Sequence, residues 1–361
     1  MIYKNIRKEF VLLIILLVGL LFRIYNLGEE SIWFDEGGTI LFAKLNIFQL
    51  LETVLSGDCS PPLYYVILHY WIGLFGESEF SLRFPSVIFG FFSIYVLYKV
   101  GTLLFNKDVG LLSSLLLAVS SLHIYYSQEA RSYSLMVLLT LLSFYFLIKI
   151  FKKNRNLTVS IGYIIASILL MYTHIYGIFI IIAQNIYLLT VFLLSRKTLE
   201  LDFKKWILFQ SALVITYIPW IFFGLMKQIT FIQRYHWYAA PKITHIIKSF
   251  YVYSGSRSLL IVFLALSFLS IVSFKRNENG SIDGKDLFNS VEDHKLVLSL
   301  SNANKIYFLL VWLSTPIILP FLISIFITPI YVIRHTIIAS LAFYLLVAKG
   351  ISDIRGNFVI S

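Results

Sequence analysis

The sequence predicts an all-α polytopic membrane protein, a bundle of about ten transmembrane helices whose first outer loop carries interfacial helices. Three observations support this. Of 361 residues, 58% are hydrophobic and only 14% charged, against roughly 25% charged in a soluble domain, and the mean hydropathy is +0.82. The apolar residues gather into runs of the length that crosses a hydrocarbon core, about 20 residues. Basic residues concentrate in alternate connections between those runs, the pattern of cytoplasmic loops. So little charge cannot cover a water-exposed surface, and so much apolar material excludes intrinsic disorder. In a soluble protein the net charge of +11 would suggest nucleic acid. Here it is an orientation signal, and no nucleic-acid partner is expected. Cys59 is the only cysteine, which excludes internal disulfides and Cys-rich metal clusters.

The first apolar run, 10–27, follows Lys4, Arg7 and Lys8. No small-residue cleavage site follows it, so it reads as a retained anchor with a cytoplasmic N-terminus. The outer loop 28–84 comes next. Within it, 63–76 opens on Pro61-Pro62 and supplies roughly 21 Å of helix at 1.5 Å per residue, short of a core of about 30 Å. Further runs lie at 83–105, 109–125, 132–151, 157–173, 176–194, 206–226, 257–274, 306–327 and 336–348.

Charge parity decides the ambiguous stretch. If 63–76 does not cross, the inner loops hold 20 of the 30 basic and 10 of the 19 acidic residues, and so +10 of the +11. If it does cross, the strongest basic clusters face outward, against the positive-inside rule. The segment is therefore expected to be interfacial or re-entrant on the outer face. Ten spans then place both termini inside, in one integral membrane domain over 1–361 of a multi-pass cell-membrane protein. The segment 275–305, with its Asn-Gly and Asp-Gly signals, reads as a polar cytoplasmic linker.

The outer loops hold the residues that packing in lipid does not explain. Asp35-Glu36 stand in SIWFDEGG; adjacent carboxylates beside aromatics at a membrane surface repel each other and are partly desolvated, which suits a general base or metal ligand. An N-cap for the following helix explains the same residues. In SPPLYY, Tyr64 and Tyr65 could line a sugar pocket or anchor the interface. The turn HIYYSQEARSY brings Gln128, Glu129, Arg131 and Tyr133 to one membrane surface, where ionisable groups are costly and often functional; a local ion pair is the bland reading. His174 sits alone at the next outer turn. Arg234, Trp237 and Lys242 form a basic and aromatic cluster, and Tyr331, Arg334 and His335 close the last outer turn. Cations there can hold a lipid phosphate or snorkel. The inner face shows no phosphate-cradling glycine loop, HExxH or GxSxG. An enzyme working outside has no cytosolic nucleotide sugar, so its activated donor would be carried on a lipid.

RIYNLGEESIWFDEGGTILFA, CSPPLYYVILHYWIGLFGESEFSLRFPSVIFG and LHIYYSQEARSYSL resemble, in order and spacing, the polyprenyl-phosphate-sugar glycosyltransferases of the GT-C fold. The nearest branch is that of the protein O-mannosyltransferases and the lipid A aminoarabinose transferase. The resemblance implies transfer of a sugar from a polyprenyl-phosphate donor to an acceptor hydroxyl on a glycan, lipid or protein, with inversion, on the extracytoplasmic face. It makes Asp35 the acidic residue that activates the acceptor, Glu36 its partner and Glu129 the second acidic position. Arg131, Arg334, His335, Arg234 and Lys242 would surround the donor phosphate. Tyr64, Tyr65, Gln128, Tyr133, His174 and Trp237 would line the substrate. In the aminoarabinose transferase an acidic residue before the proline segment helps hold a metal. Here Ser60 and Pro61 occupy that region with Asp58 nearby, so a divalent metal ion stays open as a cofactor. Longer relatives carry an extracytoplasmic C-terminal domain that this chain is expected to lack. A lipid-linked sugar flippase and a catalytically inactive relative are the alternative functions.

Overall fold

The computed structural model describes residues 2–55, 60–152, 156–194, 203–235, 239–272 and 302–359. Asp58, Trp237, the side chain of Arg234 and most of 275–305 lie outside them. Among the described residues the chain is helical, without strands, and every one of the ten apolar runs coincides with helix. Five helices are long and apolar enough to cross a membrane, or seven if each of two bent pairs is one span; three apolar helices are shorter.

Helix α1 (Ile2–Ile24) leads into three short helices, α2 (Phe34–Lys44), α3 (Ile47–Thr53) and α4 (Leu63–Phe75). These occupy the segment read as the first outer loop. The 13 residues of α4 span about 20 Å, and Gly76, at φ +77°, ends the helix in the left-handed region that glycine enters without a Cβ penalty. Helix α5 (Glu79–Leu104) starts four residues before the apolar run does, because the Ser78 side chain caps it by accepting from the Ser81 N–H. Arg83 is thereby drawn into its first turns, where it is buried.

The run 109–125, expected as one span, is broken. Helices α6 (Lys107–Val119) and α7 (Ser121–Ser127) meet at Ser120 with a bend of 61°, since Ser120 takes an extended conformation and caps α7 through its hydroxyl. Helices α8 (Tyr133–Phe151), α9 (Leu157–Met171) and α10 (Gly177–Leu194) follow. Helix α11 (Phe203–Trp220) passes through a π-helical turn at Ile221–Leu225 into α12 (Met226–Tyr235). The segment 227–256, read as a loop, holds most of α12 and the whole of α13 (Ile243–Ser254). The latter turns 94° at Gly255, φ +81°, into α14 (Arg257–Val272). Helix α15 (Asn302–Phe326), a 3₁₀ turn Ile333–Thr336 and α16 (Ile337–Val359) complete the bundle.

Helix α5 packs against α6 and α8, α8 against α9, and α14 and α15 against α16. Residues 337–348 of α16 are buried at every position, which makes this the central helix; α11 turns Leu208, Val214 and Ile215 outward. Within the bundle a chain of polar side chains clasps α8 to α11. Ser143 binds Ser167 and Gln184 at 2.9 and 2.8 Å, Tyr163 binds Gln184 at 2.8 Å and Gln210 at 3.3 Å, and Asn185 binds Gln210 and Trp206 at 2.9 and 3.1 Å. Hydrogen bonds of this kind satisfy polar groups that lipid cannot.

The two ends of the bundle differ in charge. Lys8 pairs with Asp108 and Lys107 with Glu9, while Lys305 and Lys349 lie over the Phe105 ring. All belong to loops expected to be inner. At the opposite end stand Asp35, Glu36, Glu129, Arg131, His174 and Arg334.

Candidate active site

The site is assembled around α2. Asp35 and Glu36 lie in its first turn, where the positive end of the helix dipole favours carboxylates. Neighbours in sequence, they face different surroundings. Glu36 is fully buried and accepts from Arg83 twice, Nε–Oε1 at 2.9 Å and Nη2–Oε2 at 2.8 Å. It also accepts from the Ala130 N–H at 2.7 Å and the Trp33 N–H at 3.4 Å. Arg83 spends its remaining donors on the carbonyls of Leu27, Glu30 and Ser31. This pair sews the start of the outer loop to α5 and to the turn that carries Glu129. The helix-capping role considered for Asp35 falls instead to Glu36, through the Trp33 N–H.

Asp35 remains partly open, with 23% of its side chain exposed, and its Oδ2 lies 3.1 Å from Nη1 of Arg334. Arg131 reaches the same turn from the other side: its Nη1 donates to Thr39 Oγ1 at 2.9 Å and lies 3.3 Å from the Asp35 carbonyl. Thr39 in turn donates to that carbonyl at 3.0 Å. The carbonyl of Arg131 accepts from Ser86, whose hydroxyl is 2.8 Å from that of Tyr64.

Behind the two guanidiniums is a packed aromatic wall. Both lie against Tyr133, at 5.9 and 6.0 Å from its ring centroid, within cation–π range. Tyr133 stacks on His335 at 6.0 Å, and His335 meets His174 at 4.6 Å and Tyr176 at 5.2 Å. Burial, and then the charges of Arg131 and Arg334, push the pKa of His174 down to about 3. Its Nδ1 accepts from the Tyr176 N–H at 3.2 Å, so the neutral ring carries its proton on Nε2. The imidazole thus supports two cations without adding a third.

Glu129 is 5% exposed. Burial raises its pKa from 4.5 to about 7; the Tyr125 hydroxyl, Arg131 and Arg334 pull it down and Glu36 pushes it up. A carboxyl that titrates near neutrality can exchange a proton at working pH.

The remaining expected residues are placed as follows. Tyr64 and Tyr65 are buried, and Tyr65 packs edge-on to Phe42 at 5.8 Å, within a cluster that includes Leu50, Tyr217 and Trp220. Gln128 donates to the carbonyls of Phe22, Arg23 and Tyr25 at 3.3, 3.4 and 2.7 Å, closing the end of α1. Lys242 is exposed at the start of α13. Three contributors went unremarked in the sequence: Arg83, Thr39 and Arg23. Arg23 is fully buried and donates to the carbonyls of Gly19, Ala118 and Leu117 at 2.9, 3.1 and 3.2 Å. The available signal was that Arg23 sits inside an apolar run and Arg83 at the edge of one, where a charge is costly unless it is used. Among the described residues, no group of three His, Cys, Asp or Glu is arranged to hold a metal ion.

A carboxylate beside two fixed guanidiniums, at one end of a polytopic helical bundle, defines the class: a helical membrane protein whose charged site gathers at one end. Comparison with known proteins narrows it. Residues 59–223 match the family of dolichyl-phosphate-mannose-protein mannosyltransferases, a stretch that includes Glu129, Arg131 and His174 but neither Asp35 nor Arg334. The fold is that of GT-C glycosyltransferases. It is similar to ArnT from Cupriavidus metallidurans in the apo state (TM-score 0.65, 11% identity, 96% of this chain and 61% of that one) and bound to undecaprenyl phosphate (TM-score 0.64, 12% identity, 96% and 63%). It is also similar to the oligosaccharyltransferase AglB from Archaeoglobus fulgidus in complex with an inhibitory peptide and a dolichol-phosphate (TM-score 0.58, 14% identity, 99% and 51%). The chain spans about three-fifths of the length of the bacterial structures and half that of the archaeal one. No curated protein matches it by sequence. The resemblance read from the sequence is thus shown in the family match and in the fold.

Proposed function

We propose that this protein is an integral membrane glycosyltransferase that moves a sugar from a polyprenyl-phosphate donor to an acceptor hydroxyl at the extracytoplasmic face. The observation that carries the reading is the 3.1 Å approach of Asp35 to Arg334, with Arg131 held beside them. Asp35 accepts the proton of the acceptor hydroxyl as the acceptor oxygen bonds to the sugar C1. The bond between C1 and the phosphate oxygen breaks, and its electron pair leaves with the lipid phosphate. Arg334 and Arg131 stabilise the charge that grows there. Attack from the face opposite the leaving phosphate inverts the anomeric centre. Glu36, fully engaged with Arg83, positions Asp35. A donor of this kind accords with the undecaprenyl phosphate and dolichol-phosphate bound by the two similar structures.

The test pairs two neighbouring variants in a deletion strain, with the missing glycoconjugate identified by mass spectrometry. Asp35→Asn is expected to lose about 10²–10⁴-fold in transfer at near wild-type thermal stability. Glu36→Gln is expected to cost about 3–5 kcal/mol of stability by unpairing the buried Arg83, visible as a lowered thermal midpoint in detergent. Full transfer by Asp35→Asn would overturn the role of Asp35, and transport of the lipid-linked sugar in vesicles without any product would favour a flippase.

A further inference from the structure

Helix α2 continues past its carboxylates with two glycines, Gly37 and Gly38. Neither has a positive φ, and a Cβ built on either meets nothing within 4 Å. Neither backbone conformation nor packing therefore calls for glycine, which is the costliest residue after proline inside a helix. At Gly90, Gly110 and Gly350 the reason is visible, since a Cβ would collide with Ser127, Thr102 or Leu266, whereas Gly73 in α4 is as open as 37 and 38. At 37 and 38 the space is open.

The two positions differ in what they adjoin. At about 100° per residue, Thr39 falls about 40° to one side of Asp35 and Gly38 about 60° to the other. The Thr39 side is taken by Arg131. The Gly38 side leads on to Phe42, which leans on Tyr65. Gly37 lies one turn from Phe34, 83% exposed, away from the carboxylate.

Building on the transferase reading above, we infer that Gly38 is the floor of the acceptor's approach to Asp35, so that the side-chain size at position 38 sets which acceptors reach the carboxylate. The acceptor enters along the face Asp35–Gly38–Phe42, on the side of Asp35 away from Arg131, and the bare backbone lets a bulky glycan, lipid or peptide bring its hydroxyl to the carboxylate.

The test grades size at position 38 and uses position 37 as control, in the deletion strain complemented by Gly38→Ala, Gly38→Leu, Gly37→Ala or Gly37→Leu. Restored glycoconjugate is measured by mass spectrometry per inserted protein, with the thermal midpoint and undecaprenyl phosphate binding of each purified variant. All four proteins are expected to fold at least as stably as wild type, since open space receives the side chains and helix propensity rises. Product is expected to fall stepwise, by about tenfold or more in Gly38→Leu, while the Gly37 variants stay within about twofold and the lipid-linked donor accumulates. Undecaprenyl phosphate binding stays at the wild-type level in every variant. A folded Gly38→Leu protein with wild-type product overturns the inference, and so does loss of undecaprenyl phosphate binding in that variant, which would put position 38 on the donor side. If Gly38→Leu misfolds, Gly38→Ala decides between the same outcomes. A wild-type chain that restores no glycoconjugate overturns the transferase reading, and this inference with it; product from wild type but not from Asp35→Asn secures that reading and isolates position 38 as the point at issue.

Discussion

Asp35 and Glu36 share a peptide bond and little else. The sequence reads them as one acidic pair because nothing local distinguishes them; the distinction arrives from Arg83, 47 residues on, and from Arg334 near the other end of the chain. Glu129 shows the reverse. Its isolation near a membrane surface was legible, and burial supplies the consequence, a pKa raised to about 7. The folded state therefore holds the proton more tightly than the unfolded chain, whose glutamate titrates near 4.5. Stability from this group is full below pH 4.5, declines as pH rises and is gone above about 7, a change of about 3 kcal/mol at most. Wild-type protein is expected to lose thermal stability between pH 5 and 8, and Glu129→Gln to lack that slope. The ionised form predominates above about pH 7, so transfer that needs the carboxylate rises through that pH in wild type and loses the limb in the variant. A flat wild-type profile in both measurements would remove Glu129 from the titrating groups.

Among the elements, apolar run length located the helices because hydrocarbon imposes it, but it said nothing about breaks. AVSSLHIYYS is continuous in hydropathy, yet α6 and α7 part by 61° at Ser120. Ser120 starts α7 locally, and a distant contact completes the break: the last carbonyls of α6, on Leu117 and Ala118, accept from Arg23 at the end of α1, as a cation at helix C-termini should. Gln128 closes α1 from the other side of the break. This junction carries the Glu129 turn, and its tightest point is Gly90 on α5, where a Cβ would lie 2.2 Å from Ser127 Oγ and 2.9 Å from Arg23 Nε. Gly90→Ala is expected to destabilise the protein by about 1–3 kcal/mol and to depress transfer, through displacement of the Glu129 turn. Thermal unfolding in detergent beside a transfer assay measures both. Ser127→Ala should recover part of the loss, since it removes the nearer of the two colliding atoms.

For the whole molecule, charge balance in the loops anticipated which residues gather at each end, although no single loop reveals it. Helix α5, about 39 Å long at 1.5 Å per residue, separates Arg83 near its start from Phe105 just past its end, where Lys305 and Lys349 rest. The separation of ends is structural; that the basic end faces the cytoplasm is the expectation of positive-inside bias, because translocating the basic loops opposes the membrane potential. That orientation can be tested with two positions at opposite ends of α5, Glu77, exposed beside Lys44, and Asp108, half-buried beside Lys8. In a Cys59→Ser background, Glu77→Cys is expected to react with a membrane-impermeant maleimide on intact cells, and Asp108→Cys only after permeabilisation. The reverse pattern would place Asp35, Glu129 and Arg334 in the cytoplasm, where nucleotide-activated sugars are at hand and the case for a donor carried on a lipid loses its premise.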